Sequence, residues 1–397
     1  MMFELLKVGR EIRNSLSEFL DGFYGLSSLI RGVALDFDDY WDTSLIGDRY
    51  FWNGSYYADP LQSLRKERQF HLTYNELDTK IMSYRPQKWD EHCKLMSYPT
   101  DGNPIIIKVY INYHHYHAFS SLSEREIPRS FKNYPIVYEF RKPNKAMANF
   151  FNLNAISDLL NFKLKRKAIS IKAQNSIETG TLGGLLFDTS SRSPYIVTCA
   201  HVVGDVGSNA RYRRLKWMNR YEHLGSVNYR KIPDTIVSDE ICNGRANPRA
   251  CKVDVALIKC EVPLNELAEN GIVTKVNSIR SISSMSRNDI VSFNGKTSGR
   301  IEARLGAVTL WDTVFFGNER RCFGELFEIK PLERQYIVEE LAKPGDSGSW
   351  VISELDTLVE WNGMIVSADG SQAYACYAEN ILETLSSEGK LPSPMVF

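Results

Sequence analysis

From residue 3 to about residue 33, apolar side chains recur at helical spacing: Leu5, Leu6, Val8, Ile12, Leu16, Phe19, Leu20, Phe23, Leu26, Leu29 and Ile30, with charged and polar residues between them. The period predicts one or two amphipathic helices. The plain expectation is that the apolar stripe docks onto the rest of the chain; the alternative is a surface for a partner protein or a membrane face. Two later runs read as strands. Residues 105–111 are Ile-Ile-Ile-Lys-Val-Tyr-Ile, and residues 134–140 carry Pro135 near the start, where a strand tolerates one. A charged, serine-rich stretch at 120–129 predicts a short helix between them. Residues 101–165 are therefore read as a small α/β unit of its own and a linker. Residues 1–100 form a helical and irregular N-terminal region, aromatic around Trp41, Tyr50, Phe51, Trp52, Tyr56 and Tyr57.

Past residue 166 the pattern changes to short β runs. A glycine-rich segment at 180–187 and the run Tyr195-Ile196-Val197-Thr198-Cys199-Ala200, which ends on His201, read as a hairpin. Val255-Ala256-Leu257-Ile258 follows Asp254 directly. Residues 289–299 read as a strand and turn, and further strands are expected at 307–311, 336–339 and 350–352. The charged region 204–249, with Arg211, Arg213, Arg214, Lys216 and Arg220, reads as a surface insertion. Residues 166–397 are thus expected to be mainly β.

Composition narrows the possibilities. At 397 residues with 43% hydrophobic content, the chain has room for two or three domains with real cores. Lys plus Arg and Asp plus Glu number 48 each, so nothing in the overall charge points to nucleic acid. The basic run Lys163-Leu164-Lys165-Arg166-Lys167 is short and reads as a solvated linker. No stretch approaches the roughly eighteen apolar residues of a membrane span. The first residues are interrupted by charges and lack the apolar centre of a signal peptide. Cys93, Cys199, Cys242, Cys251, Cys260, Cys322 and Cys376 form no CxxC pair. These features are read as free, mostly buried thiols in a soluble, cytoplasmic protein.

The candidate chemistry centres on Gly345-Asp346-Ser347-Gly348. Glycines on both sides of a serine allow a sharp turn, so that the N–H groups of Gly345 and Ser347 can converge as an oxyanion hole. A hydroxyl is a weak nucleophile at neutral pH and needs a base, which in turn needs an orienting group. His201, at the end of an apolar run, and Asp254, at the start of one, are the nominees. Taken singly, each has a plainer reading as a turn, a strand-end histidine or a strand start. His114, His115 and His117 have no carboxylate or cysteine at ligand spacing beside them and are read as a polar strand end rather than a metal site.

These motifs, in the order His, Asp, Ser, resemble those of chymotrypsin-like serine peptidases. The resemblance rests on Thr198-Cys199-Ala200-His201, Asp254-Val255-Ala256-Leu257-Ile258, Gly345-Asp346-Ser347-Gly348 and Gly363-Met364-Ile365-Val366-Ser367, and spans residues 170–385. It implies a double β-barrel with His201 and Asp254 in the first barrel and Ser347 in the second. It also implies a protein or peptide substrate lying extended along Ser367, Ala368 and Asp369, and no cofactor. The family's cysteines beside the histidine and serine are absent: Val202 and Lys343 stand there. Leu341 takes the place of an acid at the base of the specificity pocket and implies a small or apolar residue before the cleaved bond, while Asp369 in the same pocket implies Lys or Arg. No Ile-Val-Gly-Gly sequence opens the domain, so Asp346 lacks the family's usual partner. Control by residues 1–165, or by a protein docked there, is expected to fill that role. A catalytically silent peptide-binding scaffold is the alternative.

Overall fold

The computed structural model describes residues 2–37, 82–84, 105–146 (apart from 124, 129 and 133), 168–188, 193–213, 220–236, 242, 252–270, 276–332, 340–355, 358–390 and 394–396. Helix α1 (Met2–Asp21) buries Leu5, Leu6, Ile12, Leu16 and Leu20 on one face, as the period predicts. It lies close against the sheet beneath: a Cβ on Gly9 would stand 2.4 Å from Leu310 Cδ2. The helical pattern does not run on to residue 33, because strand β1 (Ile30–Phe37) begins at Ile30. Nearly every residue of β1 is buried. A strand covered on both faces shows no alternation, so its sequence cannot be told from a continuation of the helix.

Strand β2 (Ile105–Asn112) pairs antiparallel with β1, and β3 (Tyr134–Arg141) pairs parallel with β2. The crossover carries helix α2 (Tyr116–Ser120) after a turn at Tyr113–His115, earlier than the 120–129 expected. His114, His115 and His117 therefore lie on a helical segment and not on a strand end. The α/β segment is also not a unit of its own: β1 pairs with a strand of the second barrel, so one sheet runs through both. Buried ion pairs cross this junction. Asp36 of β1 meets Lys108 at 2.7 Å, Lys330 at 2.9 Å and Arg287 at 2.7 Å. After β3 the chain makes one more short strand, β4 (Asn144–Ala146).

The next sheet is antiparallel. It contains β5 (Ser170–Ala173), β6 (Gly180–Thr181), β7 (Gly184–Asp188), β8 (Pro194–Thr198), β9 (Asn209–Arg213), β10 (Tyr221–Lys231) and β11 (Val255–Cys260), in the order β7-β8-β11-β10-β9-β5-β6, with Pro394–Val396 added beside β7. It is an open half-barrel. Helix α3 (Ala200–Val203) follows β8. The presumed insertion at 204–249 in fact supplies β9 and β10, whose Ala210, Tyr212, Leu224 and Val227 enter the core.

The second barrel is built from β12 (Ile290–Gly295), β13 (Gly299–Phe316), β15 (Leu326–Pro331), β16 (Trp350–Leu355), β17 (Leu358–Ala368) and β18 (Ala373–Tyr377), with β14 (Glu319–Phe323) as a hairpin partner of β13. The ring β12-β16-β17-β18-β15-β13 closes through β12 and β13. Its interior, with Val291, Phe293, Leu305, Phe327, Val351 and Ile365, shares one apolar cluster with α1 and β1. Helix α4 (Ala378–Ser387) follows β18 and packs with the first sheet's cluster through Ile381 and Leu385. The architecture is mainly β, a closed barrel and a half-barrel with an N-terminal helix. The strand expected at 336–339, the aromatic segment around Trp41 to Tyr57 and the basic run at 163–167 lie outside the described residues.

The cysteines depart from expectation. Cys242 and Cys322 form a disulfide across a sequence separation of 80, while among the described residues Cys199, Cys260 and Cys376 are in no disulfide. The spacing of cysteines along the chain carries no information about that contact, which depends on β14 being folded beside residue 242. No helix among the described residues is long and apolar enough to cross a membrane.

Candidate active site

Strand β8 ends at Thr198, Cys199 is still extended, and the first turn of α3 then swings His201 over the end of the sheet. Asp254 stands immediately before β11, the neighbour of β8, with Thr198 opposite Ala256. The two side chains are thereby delivered to the same sheet end by adjacent strands. Asp254 is fully buried; its Oδ1 accepts from Ala200 N at 2.7 Å and His201 N at 3.3 Å, and its Oδ2 bonds His201 Nδ1. A carboxylate at Nδ1 fixes the proton on that nitrogen and leaves Nε2 as an acceptor. Nε2 is buried and has no hydrogen-bond partner among the described residues. The ring is held edge-on by Phe316, with centroids 5.0 Å apart.

Ser347 comes from the second barrel. The turn is closed by Asp346 N donating to Lys343 O at 3.0 Å and by Ser349 N and Oγ donating to Asp346 O at 3.0 and 2.6 Å. Gly345 and Gly348 adopt φ of 107° and 93°, where a side chain is strained. The loop is tied to the first sheet by Thr181, whose N donates to Ser347 O at 2.8 Å and whose Oγ1 donates to Gly345 O at 2.9 Å. Gly348 closes the same seam: a Cβ there would meet Thr198 Oγ1 at 2.3 Å. Thr181 O in turn accepts from Thr198 Oγ1 at 2.8 Å, which links the nucleophile loop to the end of the strand that leads to His201. The Ser347 hydroxyl donates to Val366 O at 3.0 Å.

Asp346 has partners within the barrel. Its Oδ1 accepts from Thr297 N at 2.9 Å and Ser298 N at 3.1 Å, and its Oδ2 from Ser298 Oγ at 2.5 Å and Lys343 N at 2.8 Å. Asp346 is thus partnered by the β12–β13 turn and by Lys343 N.

The substrate-binding nominees fare differently. Leu341 is buried in the barrel cluster. Ser367 and Ala368 are flanked on one side by Tyr374 and Ala373 of β18, and on the other by Ala146 and Lys145 of β4. Ser367 Oγ is buried and has no hydrogen-bond partner among the described residues. Asp369 does not offer a free carboxylate: Arg31 Nη1 lies 3.3 Å and Arg141 Nη1 3.7 Å from its Oδ2, and Tyr374 OH donates to the same oxygen at 2.8 Å. Burial pushes this carboxyl up, but Arg31 and Arg141, with hydrogen bonds from Ser371 and Tyr374, outweigh it and hold Asp369 below the usual carboxylate range. The expected attraction for a substrate Lys or Arg is therefore already met by two arginines of the N-terminal segment. Asp312 shares Arg31 but has fewer donors, and burial drives it up to about 6.

Cys199 Sγ, His201 and Asp254 offer ligand atoms within 4.8 Å of one another. Burial pushes the Cys199 thiol well up, and Sγ donates to Ile365 O at 3.1 Å. A thiol kept protonated is a poor metal ligand, so this cluster suits hydrogen bonding better than ion binding. Sequence reading missed the supporting residues Thr181, Thr297, Ser298 and Phe316, and the two arginines on Asp369. Of these, only the 297–298 turn carried a local signal, the run Asn294-Gly295-Lys296-Thr297-Ser298-Gly299.

No family model matches the chain, and no curated protein matches it. Among solved structures, the chain is similar to a Nocardiopsis protease at 14% identity and a TM-score of 0.35, over 55% of this chain and 95% of that one. It is similar to a chymotrypsin of Cellulomonas bogoriensis at 13% identity and a TM-score of 0.35, over 59% of this chain and 98% of that one. A protease of M. tuberculosis in its active form is similar at 15% identity and a TM-score of 0.31, over 61% of this chain and 88% of that one.

Proposed function

We propose that the protein is a serine endopeptidase acting through Ser347, His201 and Asp254. The supporting observation is the buried Asp254–His201 pair, which leaves Nε2 an acceptor with no hydrogen-bond partner among the described residues, beside a nucleophile loop tied through Thr181 to the end of the strand that leads to His201. Rotation of the Ser347 hydroxyl from Val366 O toward Nε2 completes the relay. Ser347 Oγ then attacks the peptide carbonyl while its proton passes to His201; the amides of Gly345 and Ser347 hold the oxyanion, and Asp254 stabilises the imidazolium. His201 returns the proton to the leaving amine. Water, activated by the same imidazole, hydrolyses the acyl-enzyme and restores Ser347. This chemistry calls on no metal or cofactor. The substrate is a protein or peptide, and with the Asp369 carboxylate already paired to Arg31 and Arg141 the residue before the cleaved bond is small or apolar. Control by residues 1–165 or a protein docked there is supported by the fusion of the N-terminal sheet to the nucleophile's barrel; the cytoplasmic setting and the defence role belong to the same reading but rest on the sequence alone. Nucleic acid has no part in this reading.

One observation favours a silent peptide-binding scaffold: the Ser347 hydroxyl is bonded to Val366 O. Labelling with a fluorophosphonate separates the two. The full-length chain should be labelled, and Ser347→Ala and His201→Ala should each abolish labelling. An unlabelled wild-type chain would leave the scaffold.

A further inference from the structure

An extended substrate at this site needs the free edge of β17 at Ser367 and Ala368. That edge is occupied by the chain itself. Strand β4 pairs antiparallel with β17, Ala146 opposite Ser367 and Lys145 opposite Ala368, and runs parallel to β13, with Asn144 beside Val314 and Lys145 beside Phe315. The end of β4 lies at the reacting groups. Ser367 follows Val366, whose carbonyl takes the Ser347 hydroxyl at 3.0 Å. On the other side, Phe316 is the next residue along β13, and its ring packs edge-on against His201. Ala146 thus lies opposite the residue that follows Val366, and Lys145 beside the residue that precedes Phe316.

The side chains of β4 alternate as those of a bound peptide would. Lys145 is exposed, Ala146 is half-buried, and Asn144 is fully buried with its Nδ2 donating to Asp312 Oδ2 at 2.8 Å. The segment before it is anchored as well. Arg31 Nη1 donates to Lys142 O at 2.6 Å, and Arg141 is locked by Glu328, Gln372 and Tyr374 at 2.8, 2.8 and 2.6 Å.

We propose that Asn144–Ala146 is a built-in pseudosubstrate: it fills the strand position an extended substrate needs, and its residues mark the substrate class. That class has a small side chain opposite Ser367 and, two residues earlier, one that donates a hydrogen bond to Asp312. This inference rests on the endopeptidase reading above. It locates the control expected of residues 1–165 in a steric block, since Asp346 is already partnered. Peptide turnover follows the fraction of molecules in which β4 has left the groove.

The test compares full-length wild type with Asn144→Asp, which sets a second carboxylate beside Asp312, and with Lys145→Pro, which removes a ladder N–H from an exposed position. Each protein is assayed for fluorophosphonate labelling, for turnover of an Asn-Lys-Ala coumarin amide, and for its thermal midpoint. The small probe needs no strand position on β17, so labelling should be unchanged. Turnover should rise about tenfold or more in both variants, tracking the open fraction. The same amide with Arg as its last residue should be turned over more slowly by the variants. Equal turnover in wild type and both folded variants, with labelling intact, would overturn the pseudosubstrate and leave the nucleophile standing. Labelling of none of the three would remove the endopeptidase reading and this inference together.

Discussion

The Asp346 carboxylate occupies the space in which a side chain on Gly295 would have to lie. A Cβ at that glycine would stand 2.1 Å from Oδ1, while the next turn of the chain donates Thr297 N and Ser298 N to the same oxygen. The residue before the nucleophile is therefore positioned by the β12–β13 hairpin and has little freedom to yield.

Gly295→Ala should for that reason act on Ser347 at a distance. The added methyl must push Asp346 off its amides, at a cost of about 1–3 kcal/mol for an overpacked site. The expected outcome is a lowered thermal midpoint and a fluorophosphonate labelling rate reduced at least about tenfold. Wild-type labelling by a folded variant would show that the Asp346 turn does not set the position of Ser347.

Arg141 joins the N-terminal sheet to the barrel, and its removal should be costly. Replacement by methionine leaves Glu139, Glu328 and Asp369 buried with less counter-charge. Breaking a buried pair from one side costs about 3–5 kcal/mol. Arg141→Met should show a loss of that size in denaturant unfolding, and a change below about 1 kcal/mol would mean that the cluster reorganises around Arg31.

How far the chain could be read beforehand depends on the range of the interactions involved. His201 and Asp254 were legible as neighbours because each lies where an apolar β run meets a turn, and strands β8 and β11 are both fully patterned in sequence. The helix α1 was legible by its period. Strand β1 was not, because burial on both faces erases the alternation that marks a strand. The pairing of Arg31 with Asp369 spans 338 positions, and no local pattern announces it. Asp369 looked like a pocket residue because its neighbours in sequence, Ser367 and Ala368, line the expected substrate edge. Its actual partners come from the other end of the chain. The occupation of that edge by Asn144–Ala146 was invisible for the same reason: three residues without marked β propensity form a strand only because two long strands bracket them.

The disulfide gives a separate prediction. Closing a loop of 80 residues constrains the unfolded chain by about 4 kcal/mol in the loop-entropy account. Cys322→Ser, or reduction of the wild type, should lower the thermal midpoint by several degrees. Reduction should have no further effect on the Cys322→Ser protein. An unchanged midpoint on reduction would mean that Cys242 and Cys322 are free thiols in solution, as the sequence alone suggested.

Asp312 should make stability depend on pH in a direction opposite to that of a salt-bridged carboxylate. Burial raises it from an ordinary value near 4 to about 6, against the pull of Arg31. Between those two pH values the native state holds a proton at Asp312 that the unfolded chain has released. Native stability from this group therefore increases as pH falls from about 6 to about 4, and is lost as pH rises through 6. Asp369, held low by Arg31 and Arg141, has the opposite sign and loses its contribution only below its ordinary range. Because other carboxylates titrate in the same window, the comparison must be with Asp312→Asn, which keeps an acceptor for Asn144 and cannot ionise. The difference in unfolding free energy, wild type minus variant, should grow by about 2 kcal/mol between pH 7 and pH 4.5. A difference that is flat across this range, or that shrinks toward pH 4.5, would place Asp312 as an ordinary ionised partner of Arg31.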